Sequence, residues 1–198
     1  MRILRSADYH RMPWKNGGGE TREIAVWPIG AALAELEWRV SLATVAADGP
    51  FSIFADVTRT LCVIQGAGIE LQVEDEPARV LQTRSEPCTF DGAAPAHAVL
   101  IDGPIVDLNV MSRRGHFRHR VSRHVFAGSR DFLTSGAATI VFCCEGTLAC
   151  SSATQRDELK AQDCALFEGA PQAVRLDARR LAETLVIELY REPTSCGS

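Results

Sequence analysis

The chain has 198 residues, 46% of them hydrophobic, with seven cysteines and a formal charge of -4. That length and apolar content allow one large domain or two small ones with a real core. The acidic balance argues against gripping nucleic acid or an anionic membrane, since both call for a net basic surface. The opening Met1-Arg2-Ile3-Leu4-Arg5-Ser6-Ala7-Asp8 has no apolar run of signal-peptide length. No later segment approaches the ~18 apolar residues of a membrane span, so a cytoplasmic protein is expected. The odd cysteine count, without a CxxC pair, reads as reduced thiols, with Cys62, Cys143, Cys144 and Cys150 acting as small hydrophobes.

In chain order, the first distinctive stretch is Pro13-Trp14-Lys15-Asn16-Gly17-Gly18-Gly19-Glu20-Thr21. Glycine costs about 0.5–1 kcal/mol more than alanine to order, so three in succession imply a tight turn or a close approach. Two readings stand. The glycines can form a turn that tucks the N-terminal segment against the body of the protein, with Trp14 as an apolar plug. Alternatively, their backbone N–H groups hold an anion, assisted by Lys15 and Asn16, with Thr21 or Glu23 pointing back at it. The spacing matches neither GxxxxGK[ST] nor GxGxxG, which excludes the familiar nucleotide loops.

Helical patterns are scarce; only residues 31–36 and 177–184 could each make about two turns. Strand signals dominate from Glu37 onward. Trp38-Arg39-Val40-Ser41-Leu42, Ile69-Glu70-Leu71-Gln72-Val73-Glu74 and Ile105-Val106-Asp107-Leu108-Asn109-Val110 alternate with the period of two that half-buried strands show. Asp48-Gly49-Pro50, Gly66-Ala67-Gly68, Asp91-Gly92 and Asp102-Gly103-Pro104 supply turns between them.

Two signatures recur in the same order. Val63-Ile64-Gln65-Gly66 is answered by Cys143-Cys144-Glu145-Gly146, and Phe90-Asp91-Gly92-Ala93-Ala94-Pro95 by Phe167-Glu168-Gly169-Ala170-Pro171. Duplication of a short-stranded antiparallel unit predicts an all-β protein of two tandem jelly-roll-like barrels with few short helices, the architecture that includes cupins. The expected division is a first barrel over residues 1–115, a basic connection over 116–135, and a second barrel over 136–198, completed in part by strands exchanged with the first half.

Recognition groups concentrate in the first half. Strand alternation places Arg39 and Ser41 on one face, and Asp107 and Asn109 on another. Such faces are commonly solvated, but inside a small barrel they converge on a cavity. Arginine's planar fork suits a carboxylate, so Arg39 and Arg59 are the expected readers of an acidic metabolite, with Asp107 and Asn109 orienting them or reading its amide. Metal-dependent cupins use HxH, which is absent; His116, His119 and His124 lie among arginines that repel a cation, so no metal or other cofactor is expected. Ser41 and Ser52 lie outside GxSxG, Cys62 sits in an apolar strand that disfavours thiolate, and Glu23, Asp56 and Asp107 are the carboxylates open to acid-base work.

The blocks Pro13-Trp14-Lys15-Asn16-Gly17-Gly18-Gly19 with Thr21, Trp38-Arg39-Val40-Ser41, Asp48-Gly49-Pro50-Phe51-Ser52, Arg59-Thr60-Leu61, and Asp107-Leu108-Asn109-Val110-Met111-Ser112-Arg113-Arg114 resemble the HutD/Ves family. The resemblance implies a bacterial bicupin tied to histidine utilisation or stress response, without an established reaction, for which N-formylglutamate is a suggested ligand. The leading expectation is a non-catalytic, metal-independent protein that binds a small acidic metabolite in its first barrel and modulates amino-acid catabolism. The alternative is a metal-free isomerase or amide or formyl hydrolase with Asp107 or Glu23 as base. A third reading is an interaction module whose exposed sheet mediates homodimerisation.

Overall fold

The computed structural model describes residues 1–14 and 17–193; the residues are in strands, turns and one 3-10 turn at Ser6–Asp8. The chain divides into two compact units, one of His10–Phe117 and the other of Met1–Tyr9 with Arg118–Glu192. The first strand, β1 (Arg2–Leu4), therefore belongs with the C-terminal half.

The unit His10–Phe117 contains β2 (His10–Pro13), β3 (Gly19–Trp27), β4 (Trp38–Val45), β5 (Gly49–Pro50), β6 (Val57–Gln65), β7 (Ile69–Val73), β8 (Arg79–Leu81), β9 (Cys88–Asp91), β10 (Ala96–Leu100) and β11 (Ile105–Arg113). They form a six-stranded sheet, β2-β3-β4-β11-β6-β9, and a four-stranded sheet, β5-β10-β7-β8. The period of two explains what lies between them: Ala43, Val45, Leu61, Val63 and Ile105 from the larger sheet pack with Ile69, Leu71, Val73, Ala96 and Ala98 from the smaller. Residues 31–36, expected as two helical turns, are turn and irregular structure before β4.

The other unit continues with β12 (Phe117–Leu133), β13 (Ala138–Glu145), β14 (Thr147–Ser151), β15 (Arg156–Lys160), β16 (Cys164–Glu168) and β17 (Ala173–Arg191). Their sheet runs β1-β16-β13-β17-β14-β15, with β12 also paired to β17. It folds around a core that includes Phe126, Val141, Cys143, Leu148, Leu159, Phe167 and Leu176. Two expectations are corrected here. Residues 116–135 contain a 17-residue strand rather than a connection, because Phe117, Val121, Phe126 and Leu133 interrupt the polar run and β17 offers a long edge. Residues 177–184 lie within β17, where pairing with β13 and β14 overrides a local helical pattern.

β1 pairs antiparallel with β16. Behind it, Arg5 donates to the Asp157 and Asp163 carboxylates at 2.7 and 3.0 Å, and the Ser6 amide donates to Asp163 at 2.9 Å. Burial raises the Asp163 pKa, but the hydrogen bonds from Ser6, Arg5 and Lys160 outweigh it and hold the carboxyl below its ordinary value.

The duplication survives in the pairing. In the first unit β6 lies between β11 and β9; in the second β13 lies between β17 and β16. Gly66 and Gly146, which end the matched strands, both have positive φ, 94° and 86°, the conformation that glycine adopts without strain.

The glycine-rich stretch joins β2 to β3 as a hairpin. The Trp14 amide donates to the Gly19 carbonyl at 2.9 Å, and the Gly17 amide to the Trp14 carbonyl at 3.1 Å. At Gly19, β3 runs so close to β4 that a Cβ would collide with the Thr44 carbonyl oxygen and crowd the Trp14 ring. Gly19→Ala is therefore expected to cost roughly 2 kcal/mol or more, measured as a lowered urea midpoint, whereas Gly49→Ala, with open space around it, serves as the mild control.

Candidate functional site

Strand register assembles the site. Met111 of β11 stands opposite Arg39 of β4 and Arg59 of β6; Asn109 stands opposite Ser41 and Leu61; Asp107 stands opposite Ala43 and Val63. All of these share the face that packs toward the four-stranded sheet, since Ala43, Leu61 and Val63 are core residues there. The polar faces read from the sequence thus turn into the barrel. Arg39 and Arg59 retain 6% and 4% of their exposure, and Asp107 none.

Arg39 and Arg59 meet at a cavity of about 610 Å³. Trp14, Thr21, Arg39, Ser41, Arg59 and Asn109 line it among the residues expected from the sequence. Gly17, Gly18 and Gly19 do not line it; they shape the hairpin that carries Trp14 to its rim. Trp14 packs against the barrel core and its Nε1 donates to the Thr21 hydroxyl at 2.8 Å. Glu23 lies behind the lining and accepts a 2.7 Å hydrogen bond from Arg39 Nε. Lys15 and Asn16 lie outside the described residues.

Arg59 is the most constrained of the group. Its Nε donates to Asn109 Oδ1 at 2.7 Å, and the Asn109 amide nitrogen donates in turn to Asp107 Oδ1. The guanidinium lies over the Phe51 ring at 4.4 Å and near the Phe90 ring at 5.6 Å, where the ring faces attract a cation. Asp107 Oδ2 has no hydrogen-bond partner among the described residues. Burial pushes the Asp107 carboxyl up to about 7, opposed by the Arg59 charge and the Asn109 hydrogen bond. Burial lowers Arg59 to about 10, opposed by Asp107, which still leaves it protonated at neutral pH.

Each arginine spends its Nε on the protein. Among the described residues, the terminal nitrogens of Arg39 and Arg59 have no hydrogen-bond partner. The arrangement therefore presents planar N–H donors in a low-dielectric space, suited to carboxylate oxygens. It does not suit a metal: among the described residues the lining contains no histidine, cysteine, aspartate or glutamate, and two guanidinium charges oppose a cation. Phe51, Phe90, Phe54 and Met111 were not singled out as site residues from the sequence. The Asp48-Gly49-Pro50-Phe51-Ser52 block was the available signal for Phe51, since it places an aromatic directly after a turn that enters the barrel mouth.

The HutD family model matches residues 6–186. An uncharacterized 21.2 kDa protein from the hutC 3' region of Pseudomonas putida is 32% identical, over 90% of this chain and 93% of its own. Protein Ves of Citrobacter koseri is 35% identical over 70% and 72%. The structure of HutD from Pseudomonas fluorescens SBW25, in a formate condition, superposes with a TM-score of 0.82 at 31% identity, covering 97% of this chain and 99% of that one. A cupin 2 conserved barrel domain protein from Leptotrichia buccalis, at 9% identity, TM-score 0.57 and coverage of 85% and 87%, shares the fold alone. With paired barrels, matched repeats and this match over nearly its whole length, the chain belongs to the HutD family and is a bicupin.

Proposed function

We propose that the first barrel binds a small acidic metabolite, with N-formylglutamate the foremost candidate, and that occupancy modulates histidine utilisation without a chemical reaction. The observation that carries this reading is the pair of buried arginines lining one cavity, whose terminal N–H groups have no hydrogen-bond partner among the described residues. Glu23 already balances Arg39, whereas Arg59 faces a carboxyl whose pKa is raised to about 7. A bound carboxylate supplies the charge and acceptors that Arg59 lacks. A volume of about 610 Å³ lies within the roughly 300–1,000 Å³ of small-molecule sites. The Ser41 and Thr21 hydroxyls remain to read an amide or formyl group, while Asn109 and Asp107 orient Arg59.

Ligand contact also reaches the hairpin, because Met12, Pro13 and Trp14 line the same cavity. That gives occupancy a route to the protein surface. The enzymatic alternative requires a base at the ligand. Asp107 lies beneath Asn109 and outside the cavity lining, and Glu23 is engaged by Arg39, so binding is favoured over catalysis.

Isothermal titration with N-formylglutamate, glutamate, urocanate and histidine tests the reading. Saturable binding of an acidic member is expected, weakened about tenfold or more by Arg59→Gln and by Arg39→Gln. Absence of binding by all four, or unchanged affinity in both variants, would refute it. Turnover that disappears in Asp107→Asn would instead establish the enzyme.

The pH dependence has a definite sign. Below about 7 Asp107 is neutral and the Arg59 charge is available to an anion; above it, ionised Asp107 competes. Anion affinity should therefore fall several-fold, about, between pH 6 and pH 8, and Asp107→Asn should flatten the profile. The unliganded protein carries the same signature: the native state holds a proton that the unfolded chain releases near pH 4. The Asp107 contribution to stability consequently declines as pH rises from ~4 toward 7, opposed by buried His119, whose pKa is lowered to about 4 and whose contribution grows over the same range; the difference between thermal melts of the wild type and Asp107→Asn isolates the first.

A further inference from the structure

The second barrel has its own cavity at the position the repeat dictates. Aligning Val63-Ile64-Gln65-Gly66 with Cys143-Cys144-Glu145-Gly146 sets Val63 against Cys143 and Leu61 against Val141. Cross-strand register then carries Asp107, opposite Val63, onto Thr184, opposite Cys143; Asn109 falls on Val186 and Met111 on Glu188. Both strand pairs break register at the same point, between Val106 and Asp107 in one and between Cys143 and Glu145 in the other. Such bulges re-aim the neighbouring side chains.

Over this strand pair in the second unit lies a cavity of about 220 Å³. Thr184 lines it, is fully buried, and its hydroxyl has no hydrogen-bond partner among the described residues. A buried hydroxyl left without a partner is costly and calls for a polar guest. Its counterpart in the first barrel, Asp107, likewise keeps one oxygen without a partner among the described residues.

The rest of the lining is charged at one side and apolar at the other. Arg120 and Arg130 are exposed at the cavity, and neither has an ion-pair partner within 4.0 Å among the described residues. Two acids share the lining: Asp131, 3.8 Å from Arg175, and Glu188, which accepts from the Ser135 hydroxyl and keeps its charge, so an anionic guest would sit on the arginine side of the cavity. His124, within 3.1 Å of the Ser122 hydroxyl, is held below its ordinary pKa by burial and by the Arg130 and Arg120 charges, against the pull of Glu188. Phe126, Leu176 and Val186 make the remaining wall apolar.

We infer that the second barrel holds a separate binding site for a small, partly apolar monocarboxylate. Its carboxylate lies between Arg120 and Arg130, Thr184 supplies a hydroxyl from the buried side, and Phe126, Leu176 and Val186 receive the hydrocarbon. The volume is below that of drug-sized sites, which restricts the guest to a short acid.

Isovalerate and its uncharged analogue isovaleramide are suitable probes, titrated into the full chain with methyl NMR as the readout. Isovalerate should shift the Leu176 and Val186 methyl resonances saturably and isovaleramide should not. The double variant Arg120→Gln/Arg130→Gln should weaken isovalerate about tenfold or more, Thr184→Val should weaken it by a smaller factor, and Arg59→Gln, in the other barrel, should leave it unchanged. No saturable shift, equal shifts with isovaleramide, or binding that survives Arg120→Gln/Arg130→Gln and fails in Arg59→Gln would overturn the inference.

Discussion

A guanidinium held almost entirely out of water is costly unless its charge is balanced and its donors are met, and Arg59 meets that demand only in part. Asn109 takes one donor, the rings of Phe51 and Phe90 flank the cationic plane, and Asp107 stands behind as a carboxyl that burial keeps poised near neutrality. The hydrogen-bond relay from Arg59 through Asn109 to Asp107 requires alternate residues of β11 to face inward, and the register of β11 against β6 to bring Asn109 within reach. Much of the six-stranded sheet can be understood as the frame that maintains this geometry. The donors left without a partner among the described residues are the ones that the proposed carboxylate would meet.

That frame was largely legible in the sequence, because a period of two is a direct readout of which residues share a face. Alternation alone placed Arg39 with Ser41 and Asp107 with Asn109. What it could not supply was the direction of that face, since a solvated sheet and a barrel lining have the same pattern; burial of Arg39, Arg59 and Asp107 decides for the lining. The separation of Asp107 from the cavity surface was equally hidden, because depth depends on the register with Val63 and Leu61 rather than on any local motif.

The misread segments share a cause. Residues 177–184 and 116–135 carry charges at spacings compatible with helix or coil, and local propensity is a weak term against a long antiparallel partner. β12 and β17 stabilise one another as extended strands, a pairing invisible to any window read on its own. The glycine block allowed two readings from the sequence, a tight turn and an anion-holding loop, and close packing gives the turn a physical reason. Gly19 is glycine because the Thr44 carbonyl leaves no space for a Cβ. The hairpin contributes to the site through Trp14, which the glycines deliver.

The charge of the unit sharpens the argument for a buried anion site. Residues 10–117 carry nine Lys and Arg against fourteen Asp and Glu, so the long-range field of this unit does little to attract an acidic metabolite. Recognition must come at short range, where low dielectric strengthens the interaction of Arg39 and Arg59 with a carboxylate while salt screens it little. Such a site selects by the geometry of its forks rather than by accumulating anions at its mouth. Inorganic ions and phosphates gain nothing from the unit's overall charge, and a carboxylate gains only if it enters far enough to replace water on both guanidiniums. On the proposed function, burying two arginines in an acidic unit would give affinity and discrimination together, at a stability cost that the Asn109–Asp107 relay and the Phe51 and Phe90 rings hold in check.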